Sequence, residues 1–229
     1  MTLAWWMRIN RQEVVAKAQE LFSGGGCLVL KGNEMSGKGQ ALSLVEELLT
    51  IEGFTCMRML LTRRSWTPQL ALGEVLHRLQ TPGIGYAIHP GSVLAGLPDR
   101  EVVDTLLEAI DRCKQDLALL FEDVDQDQSG NMHRLKVFDN LAEQGRIPVV
   151  VTCGQSTRWP SVGSAAVLRL GDFSVQDVRI CLNGAHELSS RHANELEEAI
   201  KLVFGGPVRS GMRVSPATAY FRLQAWSLS

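Results

Sequence analysis

Residues 28–39 read Leu-Val-Leu-Lys-Gly-Asn-Glu-Met-Ser-Gly-Lys-Gly, an apolar strand that runs into a loop framed by glycines and followed by lysine. The spacing Gly32-x-x-x-x-Gly37-Lys38 fits a phosphate-binding loop up to its last position. The two glycines let the backbone approach phosphate oxygens closely, because no side chain blocks the way. Successive N–H groups and the positive end of the following helix can then bind the anion. Lys38 adds a charge that can reach the β- and γ-phosphates.

The loop departs from the phosphate-binding pattern at one position. Gly39 stands where the pattern has Ser or Thr, whose hydroxyl holds Mg²⁺. Phosphate binding survives this change, but the metal ion loses a ligand and has to take a water in its place. The expected nucleotide-binding residues are Gly32, Asn33, Glu34, Met35, Ser36, Gly37, Lys38, Gly39 and Gln40. The alternative is an ordinary glycine-rich turn between a strand and a helix, with a surface lysine.

Composition limits the classes of protein to consider. The chain has 229 residues, 45% of them hydrophobic, which suits one mid-sized core with a small appendage. A formal net charge of −2 argues against a dominant nucleic-acid footprint and leaves a local basic patch open. The five cysteines are odd in number and far apart, so neither a disulfide framework nor a zinc site is indicated.

The same features predict the compartment. No apolar run in the sequence approaches the roughly 18 residues that a membrane-spanning helix needs. The first residues lack the basic-then-apolar order of a signal peptide. We therefore expect a cytoplasmic protein, which would reach the periphery of the inner membrane only through a partner.

Strands and helices alternate along the first 170 residues. Apolar residues recur at helical spacing near 11–22, 41–49, 67–79, 98–114 and 131–144. Short apolar runs predict strands at 27–31, 54–61, 116–124, 147–152 and 167–170. This alternation is typical of a parallel sheet covered on both faces by helices. Residues 81–97, rich in Gly and Pro, are expected to form a long loop.

The chain changes character after about residue 170. Three further helices are predicted at 174–183, 189–204 and 215–227, with no strand among them. The expected fold is α/β: a three-layer α/β/α P-loop NTPase core of about five parallel strands in residues 1–170, and a C-terminal helical lid in 171–229. The nucleotide should lie at the C-terminal ends of the strands, between core and lid.

Two acids end an apolar strand and complete the expected site. The run 117–123 finishes on Glu122 and Asp123, and a P-loop enzyme needs such a strand beside its loop. The first acid would orient Mg²⁺ or its waters, and the second would position or deprotonate the attacking water. The usual first acid is Asp, so Glu122 inverts the common order, and a displacement near 1 Å at a metal can cost about 10²-fold in rate. An acidic strand end that only faces water is the alternative.

Four later residues are further candidates. Thr152 ends a buried strand where a polar residue can sense the γ-phosphate, although it could equally cap the strand. Arg158, in the next loop, is a candidate arginine finger or a solvated arginine. Pro207 follows Gly-Gly and could lie against the adenine, while Arg209 could reach the γ-phosphate from the lid; the alternative is an ordinary Gly-Pro helix stop.

Four stretches of the sequence together resemble the AAA+ and STAND branch of P-loop ATPases. They are the loop, the run 119–125 (Leu-Leu-Phe-Glu-Asp-Val-Asp), the run 149–154 (Val-Val-Val-Thr-Cys-Gly) and the late Gly-Gly-Pro. The resemblance runs from about residue 11 to about 210, and residues 170–182 look like the step into the first lid helix. The short core and the Trp-Thr-Pro-Gln-Leu run at 66–70 look most like the bacterial ExeA/GspA and DamX type of ATPase domain. This resemblance implies ATP and Mg²⁺ as cofactors and a protein partner or self-association.

Three functions remain open from the sequence. The first is an ATP-binding switch with slow or impaired hydrolysis, which changes conformation to act on a partner or its assembly. The second is a non-catalytic scaffold in bacterial envelope, secretion or pilus assembly, which Gly39 and the inverted acids favour. The third is a DNA-associated oligomeric ATPase, for which Arg63, Arg64 and Trp66 offer a small basic-aromatic spot. The near-neutral charge makes nucleic acid the least favoured partner.

Overall fold

The computed structural model describes residues 11–61, 67–80, 97–113, 116–124, 135–160, 165–184 and 193–227. In these residues the core strands are β1 Gly26–Gly32, β2 Thr55–Leu60, β3 Leu117–Glu122, β4 Pro148–Gly154 and β5 Ala166–Leu170. The core helices are α1 Gln12–Phe22, α2 Lys38–Ile51, α3 Pro68–Gln80, α4 Asp99–Cys113 and α5 Lys136–Gly145. The predicted core elements are confirmed; the strand ends move by one or two residues, and α5 is described from Lys136 onward.

The five core strands form one parallel sheet in the order β2-β3-β4-β1-β5. Alternate residues of each strand face opposite layers, as the period of two requires. Leu28 and Leu30 pack with α1 and α2, whereas Val29 packs with α3, α4 and α5. The predicted three-layer α/β/α fold is therefore confirmed.

The order of the strands changes one detail of the expected site. Strand β4 lies between β1 and β3, so the acidic strand is not the direct neighbour of the loop strand. Helix α2 nevertheless packs across β1, β4, β3 and β2. The end of β3 thereby comes close to the first turn of α2.

The C-terminal segment has a hydrophobic cluster of its own. It contains α6 Val175–Gly184, α7 Ala193–Phe204 and α8 Pro216–Ser227, together with the short strands β6 Phe173–Ser174 and β7 Arg213–Val214. The expectation of no strand here is wrong, because β6 and β7 pair antiparallel. Strands of two residues are too short to show an alternating pattern in the sequence. The division of the chain at residue 170 stays a prediction.

Several expectations fall outside the described residues. They concern residues 81–96 of the predicted loop, residues 131–134 at the start of a predicted helix, and the basic-aromatic spot of Arg63, Arg64 and Trp66. Within the part of the chain that is described, no helix has the length and apolar character that crossing a membrane requires.

Candidate nucleotide-binding site

The predicted phosphate loop, residues 32–38, joins the end of β1 to the first residue of α2. The Ser36 N–H donates to the Asn33 carbonyl over 3.2 Å and closes a tight turn. Gly37 precedes α2 with φ 80°, a left-handed conformation that glycine adopts without steric cost. Met35 also has a positive φ of 65°, which is strained for a side chain of this size. The loop therefore wraps tightly at the helix N-terminus.

Gly32 lies against the side chain of Ser36. A Cβ placed on Gly32 would be 2.0 Å from Oγ of Ser36 and 2.9 Å from its Cβ. Position 32 therefore has to be glycine while serine occupies position 36. The Ser36 side chain is almost fully buried, and its Oγ has no hydrogen-bond partner in the described residues. A buried hydroxyl without a partner is uncommon in proteins.

Lys38 folds back over the loop. Its Nζ donates to the carbonyl oxygens of Gly32 over 3.2 Å and of Asn33 over 3.1 Å. Both partners are neutral, and an ammonium group binds a charged phosphate more strongly than a carbonyl. The lysine is thus held at the loop by bonds that a phosphate can replace.

The first acid of the expected site is engaged by an arginine. Nη2 and Nε of Arg58, on β2, donate to Oε2 of Glu122 over 2.7 and 3.1 Å. Nη1 of the same guanidinium donates to Oγ of Ser43 over 2.8 Å and to Oε2 of Glu46 over 3.2 Å. Burial lowers the pKa of Arg58, but hydrogen bonds and charge from Glu122 and Glu46 outweigh burial and leave that pKa raised. We call Arg58, Glu122, Glu46 and Ser43 the Arg58 cluster.

The Arg58 cluster reaches the position of the missing hydroxyl. A Cβ placed on Gly39 would lie 2.9 Å from Oε1 of Glu122 and 4.0 Å from Nη2 of Arg58. A side chain at position 39 would therefore require the Glu122 carboxylate to move, and Arg58 holds that carboxylate. The two departures from the phosphate-loop pattern are therefore linked. Glycine at 39 leaves free the space that the carboxylate of Glu122 fills.

These groups do not fit a protein-bound Mg²⁺. Mg²⁺ needs hard oxygen ligands in near-octahedral geometry at about 2.0–2.1 Å. Position 39 offers no hydroxyl, Oε2 of Glu122 already accepts two bonds from Arg58, and a cation would sit beside the guanidinium. Among the described residues, no group of three or more His, Cys, Asp or Glu side chains is placed to hold a metal ion.

Thr152 forms a hydrogen bond with the backbone of Asp123, the second acid of the expected site. Its side chain is fully buried at the end of β4, and its Oγ1 accepts a bond of 2.9 Å from the Asp123 N–H. Asp123 has φ 58°, and the Thr152 carbonyl accepts from the Val124 N–H over 2.8 Å. The threonine therefore fixes the backbone turn that follows β3. Its predicted role as a γ-phosphate sensor stays a prediction, as do the metal and water roles of Asp123.

Arg11 connects the predicted phosphate loop with the C-terminal segment, a contact that no feature of the sequence predicted. Its Nη2 donates to the Ser36 carbonyl over 2.8 Å, and its guanidinium lies 5.5 Å from the ring centre of Phe173. Burial lowers the pKa of Arg11, and the charge of Asp177 opposes that shift. No local pattern could have identified this contact, because Arg11 and Ser36 are 25 residues apart.

A second buried cation was also missed. Lys31, near the end of β1, is buried, and its Nζ donates to the Thr157 carbonyl in the link after β4. A lysine inside an otherwise apolar strand was the available signal. Pro207 and Arg209 lie exposed in the link between α7 and β7, and their predicted nucleotide contacts stay predictions. Arg158 is likewise exposed.

Comparison with solved structures supports the fold. The chain is similar to the STAND protein with a tetratricopeptide repeat sensor PH0952 from Pyrococcus horikoshii, with 14% identity and a TM-score of 0.55 over 94% of this chain. It is similar to AMPPCP-bound DnaA from Aquifex aeolicus, with 9% identity, a TM-score of 0.52 and coverage of 95% of this chain and 60% of that one. It is also similar to a chain of Drosophila ORC bound to DNA, with 16% identity, a TM-score of 0.51 and coverage of 74% of this chain and 93% of that one.

The chain thus has the fold of an AAA+ P-loop ATPase. It spans about a third of the length of the STAND protein, 32% of that chain. No protein-family model matches the sequence, and no curated protein matches it either. At these identities the similarity establishes the fold alone.

Proposed function

We propose that the protein is an ATP-binding switch of the AAA+ type, with slow or impaired hydrolysis, that changes conformation to act on a partner or on its own assembly. The observation that carries this proposal is the closed loop of residues 32–38, with Gly37 at the N-terminus of α2 and Lys38 folded over it. Loop amides and the helix end would hold the phosphates. Lys38 would leave the carbonyls of Gly32 and Asn33 and neutralise the charge of the phosphates.

Arg11 supports the switch. Its guanidinium contacts the phosphate loop through Ser36 and the C-terminal segment through Phe173. A ligand that shifts the Ser36 carbonyl would therefore change the support of Phe173, at the start of the predicted lid. Binding can shift a conformational equilibrium only through such differences in contact between two states. Pro207 and Arg209 would close on the nucleotide from that segment.

Hydrolysis should be weak because the groups that would activate the metal and water are altered. Glu122 is tied to Arg58, and Gly39 has no hydroxyl. Asp123 remains the predicted group that positions the water, and Thr152 the predicted sensor of the γ-phosphate. The sequence predicts that Glu122 and Asp123 bind Mg²⁺, and the Arg58 cluster argues against this prediction.

The test is a nucleotide titration of the purified protein, read by thermal shift. ATP, ADP and GTP are compared, since a ligand at 100 times its Kd stabilises by about 2.7 kcal/mol. Lys38→Ala should lose the ATP-induced shift while its melting temperature without nucleotide stays unchanged. Lys17→Ala is the matched control, because Lys17 is a surface lysine of α1 paired with Glu20. ATP binding retained by Lys38→Ala would contradict the proposal.

The second candidate is a non-catalytic P-loop scaffold in bacterial envelope, secretion or pilus assembly, of the ExeA/GspA and DamX type. The Arg58 cluster favours it, because it blocks the groups that catalysis would need. Phosphate release by the pure protein separates the two candidates. Glu122→Gln and Asp123→Asn are the controls, since a true activity should fall in both and a contaminant should not. A cytoplasmic location agrees with either candidate.

The third candidate is a DNA-associated oligomeric ATPase. The similarity to a chain of Drosophila ORC bound to DNA is the observation in its favour. The net charge of −2 is against it. DNA binding whose affinity falls steeply with salt would support this candidate, because counterion release governs such binding.

A further inference from the structure

An ion pair between Arg58 and Glu122 lies beside position 39, where a phosphate-binding loop usually has the hydroxyl that holds Mg²⁺. Arg58 comes from β2 and Glu122 from the end of β3, and both face α2 because they share the face of the sheet that α2 covers. In the register of the two strands, Arg58 lies opposite Leu120, two residues before Glu122. Long side chains reach such a diagonal neighbour. The pairing is therefore built into the sheet.

The guanidinium lies close to the position that the metal-binding hydroxyl would have. Mg²⁺ sits about 2.0–2.1 Å from its oxygen ligands, so a metal held by a hydroxyl at position 39 would lie one bond and one coordination distance from that Cβ. Nη2 of Arg58 lies 4.0 Å from that Cβ position, and Oε1 of Glu122 lies 2.9 Å from it. The guanidinium and a second cation cannot both occupy this space without strong repulsion.

The Ser43 hydroxyl, on α2, binds Arg58. Ser43 is one helical turn beyond Gly39, and its Oγ donates to the Gly39 carbonyl over 3.0 Å while accepting from Arg58. Glu46, a further turn along, binds the same guanidinium. Arg58 is thus fixed on three sides, and Glu122 is neutralised before any nucleotide arrives. Without this neutralisation the carboxylate would repel a phosphate at the loop.

We propose that Arg58 takes the place of the divalent cation at this site, so that the chain binds its nucleotide as the metal-free anion. The inference rests on the proposed nucleotide site and specifies the chemical form of its ligand. Arg58 acts as a positioning residue: it holds Glu122 away from the phosphates and compensates its charge. Gly39 is the corresponding small residue, since any side chain there would displace the carboxylate.

The wild-type protein provides the first test. ATP affinity is measured by calorimetry in excess EDTA and in excess MgCl₂. Excess Mg²⁺ complexes most of the ATP, so a site for the metal-free anion should show an apparent dissociation constant for total ATP at least about tenfold weaker in MgCl₂ than in EDTA. An apparent affinity in MgCl₂ that equals or exceeds the affinity in EDTA would overturn the inference and leave the nucleotide site intact. Absence of ATP binding under both conditions would overturn the proposed function and this inference with it.

Variants give the second test. Arg58→Gln leaves the charge of Glu122 uncompensated near the phosphates, so ATP affinity in EDTA should fall about tenfold. Arg112→Gln is the matched control, since Arg112 is an exposed arginine that pairs with Glu108 on α4. Unchanged affinity in Arg58→Gln, with an unchanged melting temperature, would contradict the role of Arg58.

The third test restores the usual residues. The triple variant with Gly39→Ser, Glu122→Asp and Arg58→Gln supplies a hydroxyl, a shorter acid and no competing cation. It should bind ATP about tenfold more tightly in MgCl₂ than in EDTA. Gly39→Ser alone shifts the Glu122 carboxylate but keeps the Arg58 guanidinium beside the site, so it should still bind ATP more weakly in MgCl₂ than in EDTA. Mg²⁺-dependent binding by Gly39→Ser alone would show that the pair does not exclude the metal.

Discussion

Arg11 and Ser36 are joined by a hydrogen bond of 2.8 Å from the guanidinium Nη2 to the Ser36 carbonyl, in the middle of the phosphate loop. The arginine is 7% exposed, and its charge is covered by Phe173 from the C-terminal segment. Burying a charge is costly unless it gains partners. The contact therefore ties the conformation of the loop to the position of that segment.

Replacing Arg11 tests this connection. Arg11→Met keeps an apolar side chain beside Phe173 but removes the donor to Ser36, so the free energy of unfolding should fall by about 1–3 kcal/mol. Urea unfolding measures it. Arg100→Met is the control, because Arg100 is 89% exposed and its removal should change little. If the two variants are equally stable, the bond between Arg11 and the loop does not contribute.

The contact between Gly32 and Ser36 makes a prediction for a pair of residues. Gly32→Ala places a methyl group 2.0 Å from Oγ of Ser36, and overpacking of this kind costs about 1–3 kcal/mol. Ser36→Gly removes both atoms nearest to that methyl group, so the double variant should recover part of the loss. The coupling energy from urea unfolding should be about 0.5–3 kcal/mol.

Gly24→Ala provides the matched control for this cycle, since a Cβ at Gly24 meets no atom within 4 Å. It should leave the stability nearly unchanged. Additive effects of Gly32→Ala and Ser36→Gly would show that the loop relaxes around the new methyl group.

Thr152 gives a prediction about the turn after β3. Thr152→Val keeps the shape of the side chain but removes the acceptor of the Asp123 N–H. Leaving such a donor unpaired should lower the free energy of unfolding by about 1–3 kcal/mol. Thr152→Ser keeps the hydroxyl and should lose less. If Thr152 also senses the γ-phosphate, Thr152→Val should reduce the difference between ATP and ADP affinity; equal stability of the Val and Ser variants would rule out the backbone role.

The tight loop between β1 and α2 was predictable from the sequence because its contacts are local. The glycines and Lys38 act through main-chain contacts within seven residues, so their spacing alone carries the information. The alternation of strands and helices likewise predicted the layers of the fold. The position of the two acids at the end of β3 was predictable for the same reason, since they directly follow an apolar run.

The partners of those residues were not predictable, because they come from distant parts of the chain. Arg58 lies 64 residues from Glu122, and Arg11 lies 25 residues from Ser36. The sequence around a single arginine at the start of a helix or inside a strand does not indicate which residue it will bind. The strand order, which places β4 between β1 and β3, joins segments that are distant in the sequence, and no local pattern encodes it.

Asp139 gives the prediction for pH. It is buried in α5; burial raises the pKa of its carboxyl and nearby Glu143 adds to this, while hydrogen bonds from Cys27 and Trp159 lower it in part. An unfolded Asp has a pKa of about 3.9. Because the folded pKa lies higher, the folded state keeps its proton as pH rises from about 3.9 toward that value. The contribution of Asp139 to stability should therefore fall over this range.

The measurement is urea unfolding at several pH values between acid and neutral conditions. Asp139→Asn cannot titrate, so its stability relative to the wild type should rise with pH, by about 1.4 kcal/mol for each unit by which the folded pKa is raised. Trp159→Phe removes a hydrogen bond that stabilises the carboxylate, as the bond from Trp159 Nε1 to Asp139 Oδ2 is 3.3 Å long. This variant should steepen the fall in stability. A constant difference between Asp139→Asn and the wild type across the range would show that the folded pKa of Asp139 is not raised.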